Sequence, residues 1–240
     1  MSVVACFKVV PDDTSIRVIG GKVETNVPLK VSTYDKNAIE EAVRVKEKLG
    51  WKAIGVTVGN TDRKSIRDAL SMGLDEVVAI SSGYLDVSGT AMALAETIRS
   101  ISPKLVIMAE STTDSSTSAL PPYLAEVLGY NLVSYARSIS IQDSTIRAER
   151  SVGDIEVVES PLPAVVSVTG EINTPRTPSV KQIMESAKKP VKQSSFSSQP
   201  LSELVEVKPF VTVRKRVIIE KPMEEAVDQL INYLKGEGVL

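Results

Sequence analysis

The residues best placed to do chemistry are small hydroxyl side chains and free backbone amides. Residues Glu110–Ser118 read Glu-Ser-Thr-Thr-Asp-Ser-Ser-Thr-Ser and run from an apolar segment into a helix-like one. Hydroxyls and unpaired N–H groups at a helix N-terminus make an anion site, and a phosphate is its natural occupant. Capping of the helix by Ser115 or Ser116 is the competing reading. Thr57-Val58-Gly59-Asn60 is a second loop of this kind, where Gly59 permits either close backbone approach to a ligand or a tight turn. No Walker loop and no Gly-x-Gly-x-x-Gly follows a strand-like segment, so the usual nucleotide fingerprints are missing.

Composition removes other chemistries. The chain of 240 residues has no histidine and one cysteine. The commonest general base and metal ligand is therefore absent, and neither a Ser-His-Asp nor a Cys-His arrangement can form. Cys6 lies in an apolar run, where a buried inert thiol is expected. Asp12-Asp13 and Glu40-Glu41 read as a turn and a solvated helix face. The net charge of −2 gives no bias toward nucleic acid or anionic membrane. The start of the chain reads as a strand rather than a signal peptide, and no apolar run is long enough for a membrane span. A cytoplasmic protein without membrane insertion is expected.

The elements that must position these loops alternate over the first two-thirds of the chain. Val3–Val10, Lys52–Val58, Glu76–Ile80, Lys104–Met108 and Ala164–Val168 read as strands. Asp35–Leu49, Asp62–Met72, Ser88–Ser100 and Ser116–Leu128 read as helices, the first capped by Asp35. Ile16–Val18 and Lys22–Glu24 flank Gly20-Gly21 as a hairpin. Strands alternating with single helices predict an α/β fold with a doubly wound, mostly parallel, Rossmann-like sheet. Ser134–Ile141, Thr145–Glu149 and Ile155–Val158 follow one another without helices and predict an antiparallel extension. Ligands of such sheets bind outside the carboxyl ends of the strands. The loops Lys8–Asp13, Ser32–Asp35, Thr57–Asp62 and Glu110–Ser118 lie there.

Ser179–Ala187 reads as a short helix. Lys189–Pro200 is polar, Ser-rich and aperiodic, and reads as a linker. The last forty residues hold an extended stretch (Val205–Ile219) and a helix (Pro222–Lys235). They are too few for a core of their own and must dock on something. The expected division is a nucleotide-binding domain over 1–190 and a linker with a C-terminal docking arm over 191–240.

Several blocks in order resemble the β subunit of electron transfer flavoproteins. They are Phe7-Lys8-Val9-Val10-Pro11-Asp12, Tyr34–Glu47, Ile66–Asp75, and Asn173–Met184 with its Asn-Thr-Pro-Arg start. The resemblance covers about residues 3–191 well and the tail loosely. It implies a heterodimer with an α subunit, an FAD shared with that subunit, and AMP bound by β. It also implies an electron carrier between acyl-CoA or other dehydrogenases and a quinone reductase or other acceptor. The flavin does the chemistry, which agrees with the missing catalytic side chains.

Carried over position by position, the adenine-nucleotide contacts fall on Cys6, Lys8, Ser32, Thr57, Val58, Gly59, Asp114, Ser115, Ser116, Thr117, Ser118 and Leu120. The aromatic near the flavin falls on Tyr34. Partner docking falls on Pro175, Arg176, Val180, Ile183 and Met184, with Val180 as anchor. The loop departs from the family in having Ala119 for a Gln and Pro121 for a Gly, which favours AMP over a second FAD. The alternative reading is a stand-alone nucleotide-binding regulatory module. A nucleotide-dependent ligase or hydrolase needs a metal-binding carboxylate or a Gly-rich phosphate loop, and neither is visible.

Overall fold

The computed structural model describes residues 1–210 and 214–240. The chain begins with β1 (Ser2–Cys6), β2 (Val9–Pro11), β3 (Arg17–Ile19), β4 (Lys22–Glu24) and β5 (Leu29–Val31). The α/β units follow: α1 (Thr33–Leu49), β6 (Lys52–Gly59), α2 (Arg63–Ser71), β7 (Glu76–Ser81), α3 (Val87–Ile101), β8 (Leu105–Ala109) and α4 (Leu120–Leu128). Then come β9 (Asn131–Gln142), β10 (Thr145–Val152), β11 (Asp154–Pro161), β12 (Ala164–Val168), α5 (Val180–Ser186), β13 (Val191–Ser195) and α6 (Met223–Gly236).

One nine-stranded sheet runs in the order β11-β10-β9-β12-β8-β1-β6-β7-β13. From β13 to β9 every pairing is parallel; only the β9–β10–β11 meander is antiparallel. The expected architecture is thus the one found. The chain winds outward from β1 through β6 and β7. It then crosses by α3 to β8 on the other side of β1. The switch in winding therefore opens between β1 and β8, at their carboxyl ends.

Strand periodicity sorts the core. Val3 and Ala5 of β1 point into one apolar layer with Ala38, Ile39 and Ala42 of α1 and Ile66 and Leu70 of α2. Val4 and Cys6 point into the other, with Leu94 and Ile98 of α3 and Leu124 of α4. All five residues of β8 are buried, as a strand covered on both faces requires. Gly55 of β6 is needed there: a Cβ on it would lie 2.8 Å from Leu74 Cδ1 and 2.9 Å from Val77 Cγ2.

Five local readings change. Glu40 and Glu41, read as a solvated helix face, are 3% and 7% exposed, because Asn173 and Arg176 lie over them. The run Val3–Val10 is broken at Phe7 and Lys8, because Lys8 N turns away to Asp35 Oδ2 at 2.7 Å and β2 pairs with β5 instead. Asp35 does not cap α1; the helix starts at Thr33, and Ser32 is its boundary residue. The helix expected from Ser116 starts at Leu120. Ser116 and Ser118 have φ of 48° and 53°, and Pro121 and Pro122 are tolerated only in a first turn. Finally, Val191–Ser195, inside the segment read as linker, forms edge strand β13 on β7. All five of its residues are exposed, so no burial pattern marks the strand in the sequence. Beyond it, Phe196 packs on the second core layer, and Leu201 N and Ser202 N donate to Asp86 Oδ2 at 2.6 and 3.1 Å.

The chain divides into a unit Met1–Val207 and a unit Lys208–Leu240. Residues 211–213 of the expected extended stretch Val205–Ile219 lie outside the described residues, and its described part forms no strand. In the second unit, α6 buries none of its residues. No helix among the described residues is long and apolar enough to cross a membrane.

Candidate functional site

The crevice at the switch point is built by two segments that leave the carboxyl ends of parallel strands. After β1, the β2–β5 ribbon folds back so that Ser32 N donates to Lys8 O at 3.0 Å. After β8, loop 110–119 reaches across the strand ends. Thr113 N donates to the buried Ser32 Oγ at 3.3 Å, and Lys8 Nζ pairs with Asp114 Oδ2 at 2.5 Å. Within the loop, Thr112 Oγ1 donates to Asp114 Oδ1 at 2.7 Å, and Ser116 Oγ donates to Thr112 O at 3.0 Å. The loop is thus ordered by its own hydroxyls. Burial raises the Asp114 pKa, but the hydrogen bonds from Lys8 and Thr112 outweigh it and hold the carboxyl below its ordinary range.

Beneath this loop lies a buried acid. Asp35 is 3% exposed, and burial pushes its pKa up to about 7 against the opposing pull of the Lys8 amide and ammonium. Burial, with the charge of Asp35, also pushes the Cys6 thiol far above its usual range. Cys6 is therefore an inert core residue that can offer a ligand only its backbone.

Three buried hydroxyl oxygens among the described residues find no hydrogen-bond partner: Thr57 Oγ1, Ser82 Oγ and Thr113 Oγ1. Thr57 lies two residues before the end of β6, Ser82 follows β7 and Thr113 lies in the loop after β8, so all belong to the carboxyl side of the sheet. A buried hydroxyl without a partner costs about 1–3 kcal/mol. Three of them on one side of the sheet leave hydrogen-bonding capacity for a polar ligand or for water. Gly59, at φ +98°, sits beside Ser82; a Cβ there would come within 4.0 Å only of Ser82 Oγ. Backbone access at this point is open.

Of the residues expected at the site, Lys8, Ser32, Thr57, Gly59 and Asp114 line this edge. Val58 and Leu120 instead pack against the apolar layer of α3 and α4. Ser115, Ser116 and Thr117 are exposed on the loop, and Ser118 is half-buried. Tyr34 stands in the first turn of α1 and is 43% exposed. Two hydroxyls were missed. Ser82 follows a parallel strand directly, as the other loops do, and that position is its signal. Thr113 lies inside the recognised loop, but nothing local distinguishes it from its hydroxyl neighbours.

A second cluster carries the segment before α5. Glu40 of α1, 3% exposed, accepts from Arg176 N (3.1 Å), Nε (2.8 Å) and Nη2 (3.1 Å), and from Arg44 Nε (3.0 Å). Glu47 takes Arg176 Nη1 and Nη2 at 2.6 and 3.0 Å. Asn37 Nδ2 donates to Asn173 O at 2.8 Å, and Asn173 Nδ2 donates to Glu41 Oε2 at 3.0 Å. Burial works to raise the Glu40 pKa, yet the guanidinium bonds keep it below its ordinary value. Arg176 thus spends its fork on α1. Pro175 is half-buried beside it, whereas Val180, Ile183 and Met184 are 74%, 55% and 70% exposed. A Ser179–Gln182 capping box sets the start of α5.

A doubly wound sheet with a hydroxyl-lined crevice at its switch point places this chain among the Rossmann-like α/β proteins. A profile of the electron transfer flavoprotein domain matches residues 20–198. The chain is 32% identical to the electron transfer flavoprotein subunit beta of Thermoanaerobacterium thermosaccharolyticum, over 100% of both chains. It is 28% identical to that of Clostridium acetobutylicum, over 99% of both. The chain belongs to the family of electron transfer flavoprotein β subunits.

Proposed function

We propose that this chain joins an α subunit to hold FAD and carries electrons in the cytoplasm from acyl-CoA or other dehydrogenases to a quinone reductase or another acceptor. The flavin supplies the redox chemistry; the chain contributes binding, orientation and docking rather than catalysis of its own. AMP occupies the crevice of the β subunit. The observation that carries this reading is the set of unpartnered hydroxyls Thr57, Ser82 and Thr113 at the strand ends. A phosphate and ribose need such donors, and Lys8 stands beside them. Backbone amides of Gly59 and of the loop Asp114–Ser118 complete the cradle. Tyr34 offers a half-exposed ring to the flavin side.

The tail supports a heterodimer. In α6, Met223, Val227, Leu230, Ile231 and Leu234 recur at helical spacing and form an apolar stripe with no buried residue. Such a stripe needs a cover, and the α subunit supplies it. The exposed Val180, Ile183 and Met184 of α5 form the dehydrogenase contact.

Co-expression with an α subunit tests this. A yellow heterodimer that releases AMP and flavin on denaturation, and that a dehydrogenase reduces, supports it. Tyr34→Ala in that heterodimer alters flavin fluorescence. A colourless chain that binds nucleotide but pairs with no α subunit overturns it in favour of a stand-alone regulatory module.

A further inference from the structure

A hollow of about 340 Å³ lies between α2, the turn after α5 and β13. Its floor is apolar, with Ile66 3% exposed and Leu70 fully buried. Arg63 and Arg67, one helical turn apart, stand at its rim, and no carboxylate lines it. Both arginines are exposed, and neither has a partner among the described residues. The third cation, Lys189, is already committed: its ammonium donates to Leu70 O at 2.9 Å and Leu74 O at 2.6 Å.

The fold gives no reason for the two arginines. Asp62 caps α2, its carboxylate accepting from Ser65 N at 2.8 Å; after that cap Arg63 and Lys64 open the helix with no acid in the first turn, so their charge opposes the positive end of the helix dipole. Arg63 and Arg67 also repel each other at i, i+4. Around Arg67, the neighbouring residues have structural tasks. Ile66, Ala69, Leu70 and Met72 are buried. Gly73, at φ +125°, leaves no room for a Cβ beside Val43. Asp75 accepts from Lys46 Nζ at 2.6 Å and Ala53 N at 2.9 Å. Arg67 has no such task. A local cost without a structural return points to a ligand.

We propose that Arg63 and Arg67 receive acidic side chains of the dehydrogenase that docks on α5, with the hollow taking their apolar stems; this rests on the docking role given to α5 above. Continuity argues for that occupant. Ser186 and Ala187 wall the hollow, and only Glu185 separates them in sequence from Met184 of the exposed docking face. A protein partner covers on the order of 800 Å² on each side, far more than three side chains. A partner seated on Val180 and Met184 therefore lies over the hollow. Charges at the rim of such a contact steer encounter and fix register, while the apolar anchors hold the complex.

The test uses the flavin-loaded heterodimer and a dehydrogenase that reduces it. The second-order rate of flavin reduction is followed against ionic strength for wild type, Arg63→Gln/Arg67→Gln, Arg63→Lys/Arg67→Lys and Val180→Ala. The Gln pair is expected to slow reduction about tenfold at low salt, with the gap closing toward 1 M as the screening length falls to about 3 Å. The Lys pair restores most of the rate, and flavin content is equal throughout. If the Gln pair matches wild type at every salt while Val180→Ala is slow, the acidic contact is overturned and docking on α5 stands. If Val180→Ala is also unaffected, docking on α5 falls as well. If the rates are unchanged but titration with inorganic phosphate shows binding that the Gln pair loses, the occupant is a free anion and the proposal is wrong.

Discussion

The cluster around Glu40 makes the strongest quantitative demand on the structure. Arg176→Ala removes two of the four N–H donors that converge on one carboxylate, Nε and Nη2, and spares Arg176 N and Arg44 Nε. The Glu40 side chain is 4% exposed, so its charge is left in place with little water to take over. Breaking a buried pair in this way costs about 3 kcal/mol. Glu47 is half exposed and adds little. For a chain of this size that is a fall in Tm of about 6–12 °C. A double-mutant cycle of Glu40→Gln and Arg176→Ala should give a coupling of about 1.5–3 kcal/mol at pH 7. The Glu40 pKa is depressed on folding, so this contribution is present above the ordinary carboxylate value of 4.5 and is lost as pH falls through the folded value. The coupling should therefore vanish in acid. Thermal unfolding of the four heterodimers measures it. A coupling under about 0.5 kcal/mol at pH 7 refutes the view that Arg176 anchors the segment before α5 to α1. So does an undiminished rate with the dehydrogenase in a variant that has lost the full stability.

Asp35→Asn tests the buried acid beneath the crevice. Its folded pKa of about 7 lies above its ordinary 3.8, so its stabilising contribution is full below 3.8 and is lost as pH rises through 7. The Asn variant should gain on wild type as pH rises from about 3.8 to about 7, by at most about 4 kcal/mol, and a Tm difference independent of pH would remove the effect. Thr57→Val tests an unpartnered hydroxyl. The ligand-free heterodimer should gain about 1 kcal/mol, while AMP binds about tenfold more weakly by calorimetry. Unchanged AMP affinity would take Thr57 out of the site.

The alternation of strands and helices was legible from residue types because its signal is local. β-Branched runs such as Lys104–Met108 and the helical spacing of Ala38, Ala42 and Val45 each report burial at a fixed period. Most of the crevice was legible too, since strand ends in a parallel sheet converge whatever their sequence. What tertiary structure alone decided is where polar groups find partners. Asp35 reads as a helix cap, yet the break after β1 turns the Lys8 amide onto it and buries it. Arg176 reads as a docking residue, yet the fold lays it across Glu40 and Glu47, more than a hundred residues away in the chain. β13 carries no apolar alternation because it lies exposed at a sheet edge, held by backbone bonds that any sequence can make. Burial periodicity is written in the order of residues; hydrogen-bond partners distant in the chain are chosen only when the layers close.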